Sequence, residues 1–207
     1  MNTADLIARL ADEGPSTHAR PAMMILGWTA GAFLACLALL ALVLGAPILV
    51  VAPATAGVVM AKLAFPLGIA LAGGLAVRAA GVPGRSARWP VFALAAIFAV
   101  SALVVALEAA QFTPAFPGGT WARCVTAILL LTPVVFLASC RALRKLAPTN
   151  LRLAGGVAGL FSAAVGATAY AFWCPETTVT FQLAWYGGPI ILAGAVGALL
   201  GPRLLRW

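Results

Sequence analysis

Residues 153–178 read LAGGVAGLFSAAVGATAYAFWCPETT: an uncharged run to Trp173, followed at once by a cysteine, a proline and a glutamate. A membrane-spanning helix needs about 20 predominantly apolar residues, so the run 153–173 is long enough to cross. Pro175 cannot continue a helix, which ends the run directly after Cys174 and leaves that thiol at the boundary with water. Glycine and alanine fill much of the run and let neighbouring helices come close.

The rest of the chain repeats this pattern. Comparable apolar runs occupy residues 23–44, 58–77, 90–110, 124–140 and 181–201, separated by breaks such as GAP at 45–47, GVPGR at 81–85, FTPAFPGG at 112–119 and LAPTN at 146–150. These are turn signals. With 63% hydrophobic and only 9% charged residues in 207, and a mean hydropathy of +1.06, the chain lacks the polar residues to cover a water-facing surface, since soluble domains are roughly a quarter charged. The expected fold is all-α: an integral membrane six-helix bundle, with residues 1–22 as a tail and linker and 23–207 as the membrane domain. No cleavage site for a signal peptide precedes the first run, which is expected to remain as an anchor. Small residues also cluster in GIALAGG of the second run and GAVGALLG of the sixth, where they serve packing.

Charge sets the orientation. Arg9, Arg20, Arg78, Arg85, Arg88, Arg141, Arg144, Lys145, Arg152, Arg203 and Arg206 flank alternate ends of the runs, leaving only Lys62 and Arg123 of the 13 basic residues on the other side. Basic residues in short loops stay in the cytoplasm. Both termini are therefore expected there, with the runs forming three hairpins. The formal charge of +8 reads as this orientation signal, and no direct nucleic-acid partner is expected.

Four charged residues fall near the outer face: Lys62, Glu108, Arg123 and Glu176. Buried charges are costly unless paired, so a Lys62–Glu108 ion pair and a looser Arg123–Glu176 pair are expected, the alternative being that each charge snorkels to headgroup water. Cys124 opens the fourth run and Cys174 closes the fifth, at the same side. Arg123 would favour a Cys124 thiolate, and Glu176 would supply an oxygen ligand or compensate Arg123. The pair is open between sensing, by thiol oxidation or capture of a soft metal ion, and simple packing or a constitutive disulfide. The only histidine, His18, is in the tail, so a tetrahedral zinc site would lack nitrogen ligands. No resident cofactor is expected. Cys36 and Cys140 read as buried apolar residues.

In the tail, TADLIARLADE at 3–13 places Leu6, Ile7 and Leu10 at helical spacing behind Thr3 and Asp5. Such a patch suits a partner's groove, and Asp12 and Glu13 weaken a lipid-surface reading.

The DLIARLA segment, the six runs, RCVTAILLLTPV at the fourth, CPE after the fifth, FQLAWYGGPI and the terminal RLLRW together resemble the NrsF family of membrane-bound negative regulators of sigma factor F. The resemblance implies an anti-sigma factor that holds an extracytoplasmic-function sigma factor at the membrane and releases it under heavy-metal or oxidative stress. It implies that Cys124 and Cys174 are the sensor thiols and that Asp5, Leu6, Ile7 and Leu10 contact the sigma factor. The family pattern has His before the second cysteine. Here that residue is Trp173, a departure that weighs against metal coordination more than against thiol oxidation. Two other classes fit the apolar chain: a membrane thiol oxidoreductase, disfavoured by the lack of a CxxC pair, and a small transporter, disfavoured because Lys62 and Glu108 lie away from the midplane.

Overall fold

Stretches without charge and with few breaks fold here as helices, whose backbone groups satisfy one another without water. The computed structural model describes residues 3, 5, 7, 21–47, 56–82, 84–111, 118–176 and 178–206. Among them every regular element is helical: α1 (Pro21–Leu44), α2 (Ala56–Gly81), α3 (Arg88–Gln111), α4 (Trp121–Arg144), α5 (Leu151–Tyr170), α6 (Val179–Trp185) and α7 (Gly187–Leu204). Six segments are long and apolar enough to cross a membrane, the sixth running from Thr180 to Leu204 through both α6 and α7. Thr3, Asp5 and Ile7 have helical backbone and exposed side chains. Leu6 and Leu10, expected to form a contact patch with Asp5 and Ile7, lie outside the described residues.

Two boundaries differ from the sequence reading. The fourth run was expected over 124–140, but α4 extends to Arg144, whose Nε donates to the Leu204 carbonyl at 2.6 Å. The long basic side chain finds an acceptor at the end of α7, so charge does not terminate the helix. The sixth run bends at Tyr186, between α6 and α7. Pro189 has no N–H to offer the carbonyl four residues back, which permits the bend there.

The bundle is organised around α5. Within the described spans, 83% of α5 is buried inside the bundle against 6% of α3, so α5 is the hub and α3 is a peripheral helix with almost every side open. Sequence explains the difference. Gly155 and Gly159 on α5 meet the backbone of α7 at Gly197, Gly201 and Ala193, so closely that a Cβ at either glycine would collide with main-chain atoms. This is the small-residue approach expected of GGVAG and GAVGALLG. On another side Gly73 and Gly74 of α2 receive Phe161 of α5. Asn150 starts α5 by accepting from the Leu153 N–H at 3.0 Å, a standard N-cap.

The remaining helices attach to this hub. α2 and α4 each pack extensively on α5, α3 packs on α2 through the edge-to-face pair Phe65 and Phe98, and α1 lies chiefly against α4 with little contact to α2. The ends of α1 and α5 and the starts of α2, α4 and α6 therefore gather at one end of the bundle. Trp121 and Trp185 stack there with ring centroids 4.9 Å apart.

Candidate functional site

That end holds a polar cluster within a mainly apolar bundle. Cys124 sits in the first turn of α4, its N–H bonded to the Thr120 carbonyl at 3.1 Å, and is fully buried. Cys174 lies in the turn that leaves α5, where the Trp173 N–H closes a tight turn on the Tyr170 carbonyl at 2.9 Å. It too is buried. Pro175 follows, exposed at the surface, so the chain turns away directly after placing the thiol.

The two thiols come together. Their sulfurs are 3.6 Å apart and unbonded, a hydrogen-bonding distance well beyond the roughly 2.05 Å of a disulfide. The Cys124 thiol also reaches the Tyr170 hydroxyl at 3.7 Å and Thr120 Oγ1 at 3.8 Å. Thr120 in turn donates to Glu176 Oε1 at 3.4 Å. Tyr186 completes the surround. Its buried hydroxyl interacts with Cys174 at a geometry short of a full hydrogen bond.

Lys62 enters from α2 and donates through Nζ to the Cys174 carbonyl. The Cys174 thiol is consequently held below the ordinary cysteine range: the hydrogen bond with Cys124 favours its thiolate most, burial opposes this, and Tyr186, the Lys62 charge and the Glu176 backbone N–H add to the lowering. A thiolate is the nucleophilic and metal-binding form. The arrangement supplies one activated thiol and one donor thiol in contact.

The positions expected from sequence divide clearly. Cys124, Cys174, Glu176 and Lys62 are brought together. Lys62 was paired with Glu108 in the sequence reading; its observed partner is the Cys174 carbonyl, and the Glu108 side chain lies outside the described residues. Arg123 is exposed, and an Arg123–Glu176 ion pair is not formed among the described residues. The charge beside the thiols is thus Lys62 in place of Arg123. Cys36 and Cys140 are buried elsewhere in the bundle. Among the described residues no three His, Cys, Asp or Glu side chains converge as a metal cage.

Tyr170, Tyr186 and Thr120 escaped the sequence reading, although a signal existed. The chain has just two tyrosines, and both are here. Tyr170 and Thr120 each precede one of the paired cysteines by four residues, the spacing that puts two side chains on one helical face.

Comparison with known proteins places this geometry in context. The family profile described as negative regulator of sigma F, NrsF, matches residues 10–207. The probable anti-sigma-F factor NrsF of Azospira oryzae is 36% identical over 220 aligned positions, covering 100% of both chains. The anti-sigma-F factor NrsF of Caulobacter vibrioides is 36% identical over 145 positions, covering 67% of this chain and 68% of its own. No solved structure matches the chain. The extent of the profile match and the end-to-end similarity establish that the chain belongs to the NrsF family.

Proposed function

We propose that this protein is an anti-sigma factor of the bacterial inner membrane, which holds an extracytoplasmic-function sigma factor through its N-terminal segment and releases it when the Cys124–Cys174 pair is modified. The observation that carries the sensing part is the contact of the two buried thiols at 3.6 Å, with Lys62 held against Cys174. The regulatory part rests on the names its relatives carry. Orientation follows from the basic residues: the thiol end faces the periplasm, and the termini and arginine-rich loops face the cytoplasm.

Oxidation by a peroxide balances with these two residues alone. The Cys174 thiolate attacks one peroxide oxygen, the O–O bond breaks, and the departing oxygen leaves as water or alcohol once protonated. The Cys174 sulfenic acid is then attacked by Cys124, whose proton leaves with the second oxygen as water, and the S–S bond forms. Two thiols lose two electrons and the peroxide gains them. A soft metal ion would act differently: Cys124 and Cys174 would hold it through their thiolates, the two thiol protons being released. Either event draws the start of α4 and the end of α5 toward a new separation.

Movement at Cys174 has two attachments. Its carbonyl is held by Lys62 of α2, and the preceding residue, Trp173, donates through Nε1 to the Gly45 carbonyl at the end of α1 at 3.0 Å. At its other end α1 is continuous in chain with the N-terminal segment. A rigid α1 thus links the thiol turn to the segment that contacts the sigma factor.

The test is copurification of a sigma factor with the full chain, with a form lacking residues 1–20, and with Cys124→Ser and Cys174→Ser, each with and without peroxide. Capture lost on truncation supports the anti-sigma assignment, and peroxide-induced release absent in both serine variants supports the sensor. Failure of the full chain to capture any sigma factor overturns the proposal.

A further inference from the structure

A second feature lies away from the thiols. α1 and α2 barely touch, and between them, floored by α5, runs a cleft of about 470 Å³. Its mouth is rimmed by Leu26, Leu71 and Leu75, which are 68%, 64% and 59% exposed, so it opens sideways toward the position of lipid. Phe161 of α5 forms part of its floor. Along α2 the lining extends from Leu67 to Arg78, a rise of roughly 16 Å, comparable with most of an acyl chain.

The polar side chains in this lining are Thr29, Thr168 and Arg78. Thr29 donates to the Ile25 carbonyl at 2.9 Å and Thr168 to the Ala164 carbonyl at 2.7 Å, so both hydroxyls are satisfied within their own helices. Arg78 is different. It stands in the last turn of α2, and its Nε is buried with no hydrogen-bond partner among the described residues. An unpaired buried donor is costly, and a guanidinium is suited to bidentate recognition of phosphate.

The geometry points to a bound anionic phospholipid, with one acyl chain in the cleft between α1 and α2 and its phosphate on Arg78. Arg78 is near the basic end of the bundle, in chain next to the exposed Arg85 and Arg88, where an anionic headgroup would meet further positive charge. The bound lipid separates α1 from α2 and so occupies the space that a shift of α1 would need. This inference does not rest on the anti-sigma reading.

Native mass spectrometry of the full chain, titrated in detergent with phosphatidylglycerol and with diacylglycerol of the same acyl chains, which lacks the phosphate, tests it. The wild type is expected to retain one phosphatidylglycerol at least about tenfold more tightly than diacylglycerol, the size of one charge-assisted hydrogen bond. Arg78→Gln should abolish this preference, Arg78→Lys should keep part of it, and Arg141→Gln, at an exposed site on α4, should leave it intact. Ala30→Phe, which fills the cleft from α1, should reduce retention of both lipids. Equal retention of the two lipids by the wild type overturns the proposal. So does a preference that survives Arg78→Gln, or a dimer mass that Ala30→Phe disrupts, which would assign the cleft to a second copy of the chain.

Discussion

Trp173 donates its indole N–H to the Gly45 carbonyl at 3.0 Å, bridging the turn that carries Cys174 to the residue after α1. The Trp173 side chain is buried, whereas Gly45 is exposed, so the bond joins the interior to the surface of the bundle. Phenylalanine preserves much of the ring's packing and removes the donor. Trp173→Phe is expected to cost about 0.5–1.5 kcal/mol, the net worth of one hydrogen bond, because the exposed Gly45 carbonyl keeps access to other partners. It should also separate sensing from output: peroxide should still oxidise the thiol pair, counted by mass spectrometry, while release of the captured sigma factor is reduced severalfold. Unchanged release would remove the indole from the coupling route.

Lys62 acts on Cys174 from α2, and its removal should be visible in thiol chemistry. Cys174 is held below the ordinary thiol range, so it should alkylate faster than Cys36 or Cys140 at neutral pH. Lys62→Met withdraws the charge that favours the thiolate and leaves the hydrogen bond with Cys124, the larger cause, in place. The rate near neutrality should then fall severalfold, while the rates of variant and wild type converge at high pH, where the thiolate forms in both. The stability linkage has the same sign. A depressed thiol contributes stability that is fully present above the unfolded value of about 8.5 and lost as pH falls through the folded value. Lys62→Met should flatten that dependence in a series of melting curves.

The close approach of α5 and α7 sets a sharp size limit. A side chain at Gly159 would strike the Ala193 carbonyl, and one at Gly155 would strike Gly197. Gly159→Leu should destabilise the bundle by about 3 kcal/mol or more, beyond the usual cost of overpacking, because backbone atoms cannot step aside as side chains do. Gly31→Ala is the contrast. Nothing lies within 4 Å of a Cβ at Gly31 on α1, so its effect should be near zero or mildly stabilising through helix propensity. Thermal unfolding in detergent compares the two.

These cases show what hydropathy and spacing encode. The six runs, the glycine stripes of α5 and α7 and the stop at Pro175 could be read from the sequence because each depends on local composition. The meeting of Cys124 with Cys174 also could, since alternation of the runs puts both at one end. Which helix lies beside which is a different kind of information. Depth alone suggests Glu108 as a partner for Lys62; the acceptor it meets among the described residues is the Cys174 carbonyl, just beyond α5, the helix on which α2 packs most. Arg123 misled for a geometric reason: adjacent helical residues point about 100° apart, so a buried Cys124 turns Arg123 outward. Tyr170 and Tyr186 gave no hydropathy signal as site residues, although both are buried against the pair.

The two cysteines are not equivalent, and trapping should separate them. Cys174 carries the lowered thiol, with Cys124 as its hydrogen-bond partner at 3.6 Å. Peroxide should therefore oxidise Cys174 first, with Cys124 resolving the sulfenic acid to a disulfide. In Cys124→Ser the sulfenic acid has no thiol in reach, so a dimedone adduct should accumulate at Cys174. In Cys174→Ser, Cys124 lacks the activated partner and should give little adduct under the same exposure. The wild type should show neither adduct at completion, only an intramolecular disulfide between residues 124 and 174. Peptide mapping reads all three. An adduct at Cys124 in Cys174→Ser as abundant as that at Cys174 in Cys124→Ser would contradict the assigned order. Both thiols are buried, Cys124 at 0% and Cys174 at 2% exposure, so the thiolate fraction and local hydrogen bonding should decide which sulfur reacts.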